Sequence, residues 1–81
     1  MTIPVVLPKS GMGIEEGTIA QWLKAEGDIV KMGEPIVEVE TAKAILPVEA
    51  PANGVLLKIL VSSGETAAVN SEIGIIEEQN S

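Results

Sequence analysis

Apolar and polar residues alternate over short runs in this chain, and each run is closed by Gly, Pro, Asn or Ser about every ten residues. A period of two is the signature of a half-buried strand, because successive side chains point to opposite faces. The pattern predicts strands near Ile3–Leu7, Thr18–Ala25, Ile36–Thr41, Ala44–Ala50, Val55–Val61 and Ile73–Glu77, with shorter ones near Asp28–Val30 and Thr66–Ala68. Gly27-Asp28, Gly64-Glu65 and Pro51-Ala52-Asn53-Gly54 read as turns between them. No stretch holds a helical period. Short Val-, Ile- and Leu-rich strands at this spacing predict an all-β sandwich or barrel.

The pattern also repeats. Shifting the sequence by 37 positions lays Gly17 on Gly54, Leu23 on Leu60, Gly27 on Gly64, Ile36 on Ile73 and Glu40 on Glu77, without a gap. Conservative pairs fill the register: Ile19 with Leu56, Trp22 with Ile59, Asp28 with Glu65, Met32 with Val69, Val39 with Ile76. Gly33 meets Asn70, and these two residue types best tolerate a left-handed backbone. Two similar half-domains related by a pseudo-twofold axis are expected. Trp22 shares its position with Ile59, which argues for a core residue rather than a ligand platform.

Composition narrows the function. The 81 residues suffice for one domain and contain neither Cys nor His. A disulfide, a thiol nucleophile, a histidine base and the commonest metal ligand are therefore all ruled out. Five basic residues against 12 acidic ones give a formal charge of −7, and Trp22 is the one aromatic residue. Such a chain repels phosphate backbones and offers no stacking platform, so nucleic acid is not an expected partner. No apolar run reaches the length of a membrane span, and Met1-Thr2-Ile3-Pro4 has no feature of a leader, so a cytoplasmic protein is expected. An inventory without His or Cys points away from a self-contained enzyme.

One segment carries candidate chemistry. With period two, Ala44, Leu46, Val48 and Ala50 point inward, while Lys43, Ile45, Pro47 and Glu49 point outward. Lys43 then projects from a tight connection at Thr41-Ala42, with the small residues Ala42 and Ala44 on either side. An amine presented this way suits an enzyme that must grip and modify it. Spacing alone leaves open that Lys43 is a solvated turn lysine, like Lys9, Lys24, Lys31 and Lys58.

Glu38-Val39-Glu40-Thr41-Ala42-Lys43-Ala44, followed by Val48-Glu49-Ala50-Pro51-Ala52-Asn53-Gly54, closely resembles the lipoyl-attachment segment of 2-oxo acid dehydrogenase acyltransferases. Upstream, Leu7-Pro8-Lys9-Ser10-Gly11-Met12-Gly13-Ile14-Glu15-Glu16-Gly17-Thr18-Ile19 resembles that family's first loop and second strand. Trp22, Gly27-Asp28, Val30, Gly33 and Glu34-Pro35-Ile36 match in order and spacing, so that the resemblance covers residues 3 to 77. It implies a flattened barrel of two four-stranded antiparallel sheets with quasi-twofold symmetry, occupying residues 1–78, with residues 79–81 a polar tail or the start of a linker. It implies covalent lipoate on Lys43 and a carrier, not a catalyst. The implied partners are a thiamine-diphosphate-dependent decarboxylase, an acyltransferase core, a dihydrolipoyl dehydrogenase and a lipoate ligase, with the isolated domain a monomer. Candidate recognition residues are Lys9, Ser10, Gly11 and Met12 in the first loop, the acids Glu38, Glu40, Glu15 and Glu16, and the outward Ile45.

One departure from the family lies beside the lysine itself: Ala42 stands where an Asp usually precedes it. Ile45 and Pro47 likewise replace positions that are often polar. The alternatives are a biotinyl carrier, which shares the fold but usually brackets its lysine with methionines, and an unmodified interaction domain of the same fold.

Overall fold

The computed structural model describes residues 1–8, 15–42 and 44–79. The predicted first-loop residues Lys9, Ser10, Gly11 and Met12, the candidate Lys43, and Asn80 and Ser81 of the tail therefore lie outside the described residues.

Eight strands follow one another: β1 (Thr2–Val6), β2 (Glu16–Trp22), β3 (Ile29–Val30), β4 (Pro35–Glu40), β5 (Ile45–Glu49), β6 (Gly54–Ile59), β7 (Thr66–Ala68) and β8 (Glu72–Glu78). No helix occurs among the described residues. The strands form two four-stranded sheets, ordered β1-β8-β6-β3 and β5-β4-β2-β7, and every pairing is antiparallel. All eight predicted strands are present. The one sizeable boundary difference is at β2, which ends at Trp22 rather than Ala25 because the Ala25 and Asp28 backbones already close a turn there.

The 37-residue repeat is built into the hydrogen bonds. Leu56 N donates to Asp28 O and Ile19 N to Glu65 O, while Gly27 N donates to Leu56 O and Gly64 N to Ile19 O. Each pair of bonds is one interaction made twice, in opposite directions, across the pseudo-twofold axis. Registers repeat too: Ile19 opposes Val39 and Leu56 opposes Ile76, and each of these strands then slips by one residue, at Ala20 and Leu57. Such a bulge adds a residue to one strand and bends it. Gly33 and Asn70 both adopt positive φ, 85° and 65°, which explains why only Gly and Asn share that position.

Alternation places the core between the sheets. Ile19, Ile36, Leu56, Ile73 and Ile76 are fully buried, and Val39 and Val30 nearly so. The core is thus laid down twice, Ile19 and Ile36 in one half matching Leu56 and Ile73 in the other. Symmetry breaks at Trp22, which donates from Nε1 to Val61 O (2.8 Å) and packs against this cluster. Its ring lies over Gly74, where an added Cβ would come within 2.9 Å of Trp22 Cη2. The repeat counterparts are Ile59 and Val37, so a larger residue at one position is compensated by a smaller one at the other. Trp22 is therefore a packing residue, as its repeat partner indicated.

Candidate functional site

The last rung of the β4–β5 hairpin is Glu40 opposite Ile45. Beyond it Thr41 N donates to Ala44 O (2.8 Å), and the Thr41 hydroxyl also donates to Ala44 O (2.9 Å) and accepts from Ala44 N (3.2 Å). Both backbone groups of Ala44 are thereby tied to Thr41, and the link between these residues is two residues long. Side-chain hydroxyls of Thr commonly close turns in this way.

Burial falls off toward this end. Along β5, Val48 is buried, Leu46 half-buried, and Ile45, Pro47 and Glu49 are exposed, as the alternation predicted. Ala44, expected to face the core with Leu46 and Val48, is exposed instead, and Ala42 is exposed as well. The reason is geometric: the hairpin tip runs past Val39 opposite Leu46, the last rung of the hairpin that holds a buried residue. Leu7, Gly17, Val39, Leu46, Val48 and Val69 line a small apolar pocket just beneath. Gly17 makes this support possible, since a Cβ there would come within 2.6 Å of Val39 Cγ1.

The outer face beside the tip is polar and acidic. Ile45, Glu40, Thr18 and Thr66 form one row across all four strands of the sheet. Thr18 and Thr66 share a hydroxyl–hydroxyl hydrogen bond of 3.1 Å. Glu15, Glu16, Thr18, Glu40, Ala42 and Thr66 line a groove along this face. The repeat gives the equivalent row of the other sheet as Thr2, Glu77, Val55 and Ile29, with two aliphatic residues where the hairpin sheet has two threonines. Of the predicted recognition residues, Glu40 and Ile45 oppose one another, Glu38 opposes Pro47, and Glu15 and Glu16 flank the same groove. Thr18 and Thr66 were not anticipated. Their signal was present, because the repeat maps the β6–β3 pairing onto β2–β7.

Chemically the described residues of the site offer carboxylates, hydroxyls and methyl groups. Among the described residues no cluster of three or more acidic, His or Cys side chains could hold a metal ion. No helix there is long and apolar enough to cross a membrane.

The biotin/lipoyl family model, described as a biotin-requiring enzyme, matches residues 3–76. The chain belongs to this family. Within it, the chain is similar to the solved lipoyl domain of the 2-oxoglutarate dehydrogenase complex from Azotobacter vinelandii, with 35% identity, a TM-score of 0.78, and 96% of this chain and 99% of that one covered. This family member thus has the lipoyl-domain fold that its sequence resembled. It is 44% identical over 78 residues to the dihydrolipoyllysine-residue succinyltransferase component of the 2-oxoglutarate dehydrogenase complex of Rickettsia bellii, covering 96% of this chain and 20% of that protein. Against the dihydrolipoyllysine-residue acetyltransferase component of the pyruvate dehydrogenase complex of Rickettsia conorii, identity is 41% over 80 residues, covering 98% of this chain and 19% of that protein. The chain spans about a fifth of the length of these curated relatives. A long-chain acyl-CoA carboxylase also contains the fold, with a TM-score of 0.81 at 16% identity, over 99% of this chain and 7% of that one.

Proposed function

We propose that this domain is a lipoyl carrier, acylated by lipoate at Lys43, that moves acyl groups and reducing equivalents between the active sites of a 2-oxo acid dehydrogenase complex. The observation that supports it most is the Thr41–Ala44 closure of a hairpin tip at which Ala42 and Ala44 are exposed, in a chain whose family modifies a lysine. The residues fit the group. Ala42 and Ala44, the chain neighbours of Lys43, are exposed and small. In attachment, Lys43 Nζ attacks the carboxyl carbon of an adenylated lipoate; a C–N bond forms, the bond to AMP breaks, and the amine gives up its proton to solvent. When bound, lipoate supplies a dithiolane that takes up an acyl group together with electrons.

The rest of the chain holds and identifies the arm. Residues 1–78 form the carrier domain, and residues 79–81 begin the tail, Gln79 still donating its N–H to Asn53 O (3.0 Å). Tethering within a larger acyltransferase component turns each encounter with a partner into an intramolecular event at raised effective concentration. The partners are the decarboxylase, the acyltransferase core and the dihydrolipoyl dehydrogenase, with a lipoate ligase for attachment. They read the Glu40–Ile45 row, Glu38 and the acids Glu15 and Glu16, together with Lys9, Ser10, Gly11 and Met12. The domain works in the cytoplasm and catalyses nothing by itself.

Lys43→Arg tests the assignment, because arginine keeps the charge and removes the acylable amine. The unmodified domain and the variant are incubated with a lipoate ligase, lipoate and ATP and weighed by intact-protein mass spectrometry. One lipoyl group on the wild type and none on the variant is the expected result. Lipoylation of Lys43→Arg would place the site elsewhere.

A further inference from the structure

The Thr41 side chain does more than occupy a turn. Its hydroxyl makes two of the three bonds that tie Thr41 to Ala44, donating to the carbonyl and accepting from the amide of the same residue. No other described side chain is hydrogen-bonded to Ala42 or Ala44, and both are exposed. Glycine is absent from Thr41-Ala42-Lys43-Ala44, and so is the Asp that usually precedes the lysine in this family. Among the described residues, what ties the two ends of the tip together is therefore the Thr41 hydroxyl, working with the Thr41 main chain.

We propose that Thr41 is a positioning residue for modification: its hydroxyl fixes Thr41 against Ala44, the two ends between which an attaching enzyme accepts the amine of Lys43. The inference rests on the lipoyl-carrier reading above. Thr41 moves no proton in the reaction. Its contribution is conformational, because a link whose ends are fixed has less freedom to lose when it is gripped. Valine has nearly the shape of threonine and retains the main-chain bond from Thr41 N, but it can neither donate to nor accept from Ala44. Serine keeps the hydroxyl.

The test compares unmodified wild type, T41V, T41A, T41S and K43R with a lipoate ligase, lipoate and ATP, following intact mass over time at several domain concentrations. Exchange of the Ala44 amide with deuterium is followed in the same proteins. T41V and T41A are expected to lower kcat/KM by about three- to tenfold, the size associated with one or two lost hydrogen bonds. The loss is expected mainly in KM, with faster exchange at Ala44, while T41S remains within about twofold of wild type. Unchanged kcat/KM in T41V and T41A would overturn the role of Thr41 and leave Lys43 standing. Equal losses in T41S and T41V would also overturn it, since the hydroxyl would not be the agent. Failure of the wild type to accept lipoate, or modification of K43R, would instead overturn the carrier reading.

Discussion

Gly54 and Gly17 occupy one position of the repeat, and the difference between them shows how strictly this backbone is packed. A Cβ at Gly54 would lie 2.0 Å from Glu77 O, a backbone atom, whereas at Gly17 the nearest atom is a valine methyl at 2.6 Å. Backbone cannot turn aside as a side chain can. Gly54→Ala is therefore expected to cost more than about 3 kcal/mol, and Gly17→Ala about 1–3 kcal/mol, in urea unfolding. Equal costs would contradict the packing described. The Trp22–Gly74 exchange of volume predicts a coupled pair. Gly74→Val alone overpacks and Trp22→Ile alone leaves space, but the double variant restores the pairing that Ile59 and Val37 would make. Its cost should fall at least about 1 kcal/mol short of the sum of the single costs; additive costs would mean that the two positions pack independently. At this scale the site was only partly legible. Parity correctly sent Ile45, Pro47 and Glu49 outward, yet it also sent Ala44 inward, because alternation fixes which way a residue points and not how far along the hairpin the core extends.

The elements were the most legible level, and the reason is physical. Each strand has one face in the core, so Ile36-Val37-Glu38-Val39-Glu40 and Ile73-Gly74-Ile75-Ile76-Glu77 announce themselves by composition and by the repeat. The order of strands in each sheet is set by distant pairings that no local pattern contains, and the row of Thr18 and Thr66 becomes visible only when the repeat is combined with those pairings. Of the four outer strands, β1 and β5 each contain a proline, Pro4 and Pro47, whereas the proline of a central strand, Pro35, is only the first residue of β4. Pro4 and Pro47 line one groove. An outer strand tolerates proline because one row of its N–H groups has no partner, and proline discourages another strand from adding there. Replacing both with valine is expected to give concentration-dependent self-association in light scattering, with the wild type remaining a monomer at the same concentrations. A monomeric double variant would show that the prolines do not guard these edges.

The whole molecule measures 40 × 21 × 17 Å, two half-domains wrapped around one core, and its formal charge is −7. An ordinary lysine is almost fully protonated at pH 7, its pKa being about 10.4. Amide formation at Lys43 removes that proton for good, so the carrier form should be about one unit more acidic and elute later from an anion exchanger. No change in elution on lipoylation would contradict modification of a charged amine. The family and the carrier role were legible from a run of residues spanning nearly the whole chain. The particular complex was not, because the chain spans only about a fifth of the length of its curated relatives. The central claim, that Lys43 carries lipoate, is tested most directly by peptide mapping and mass spectrometry of the protein isolated from its native host. A single lipoyl group on the peptide containing Ala42-Lys43-Ala44 is the predicted result. Biotin on that peptide, or Lys43 uniformly unmodified in cells that lipoylate other proteins, would contradict it.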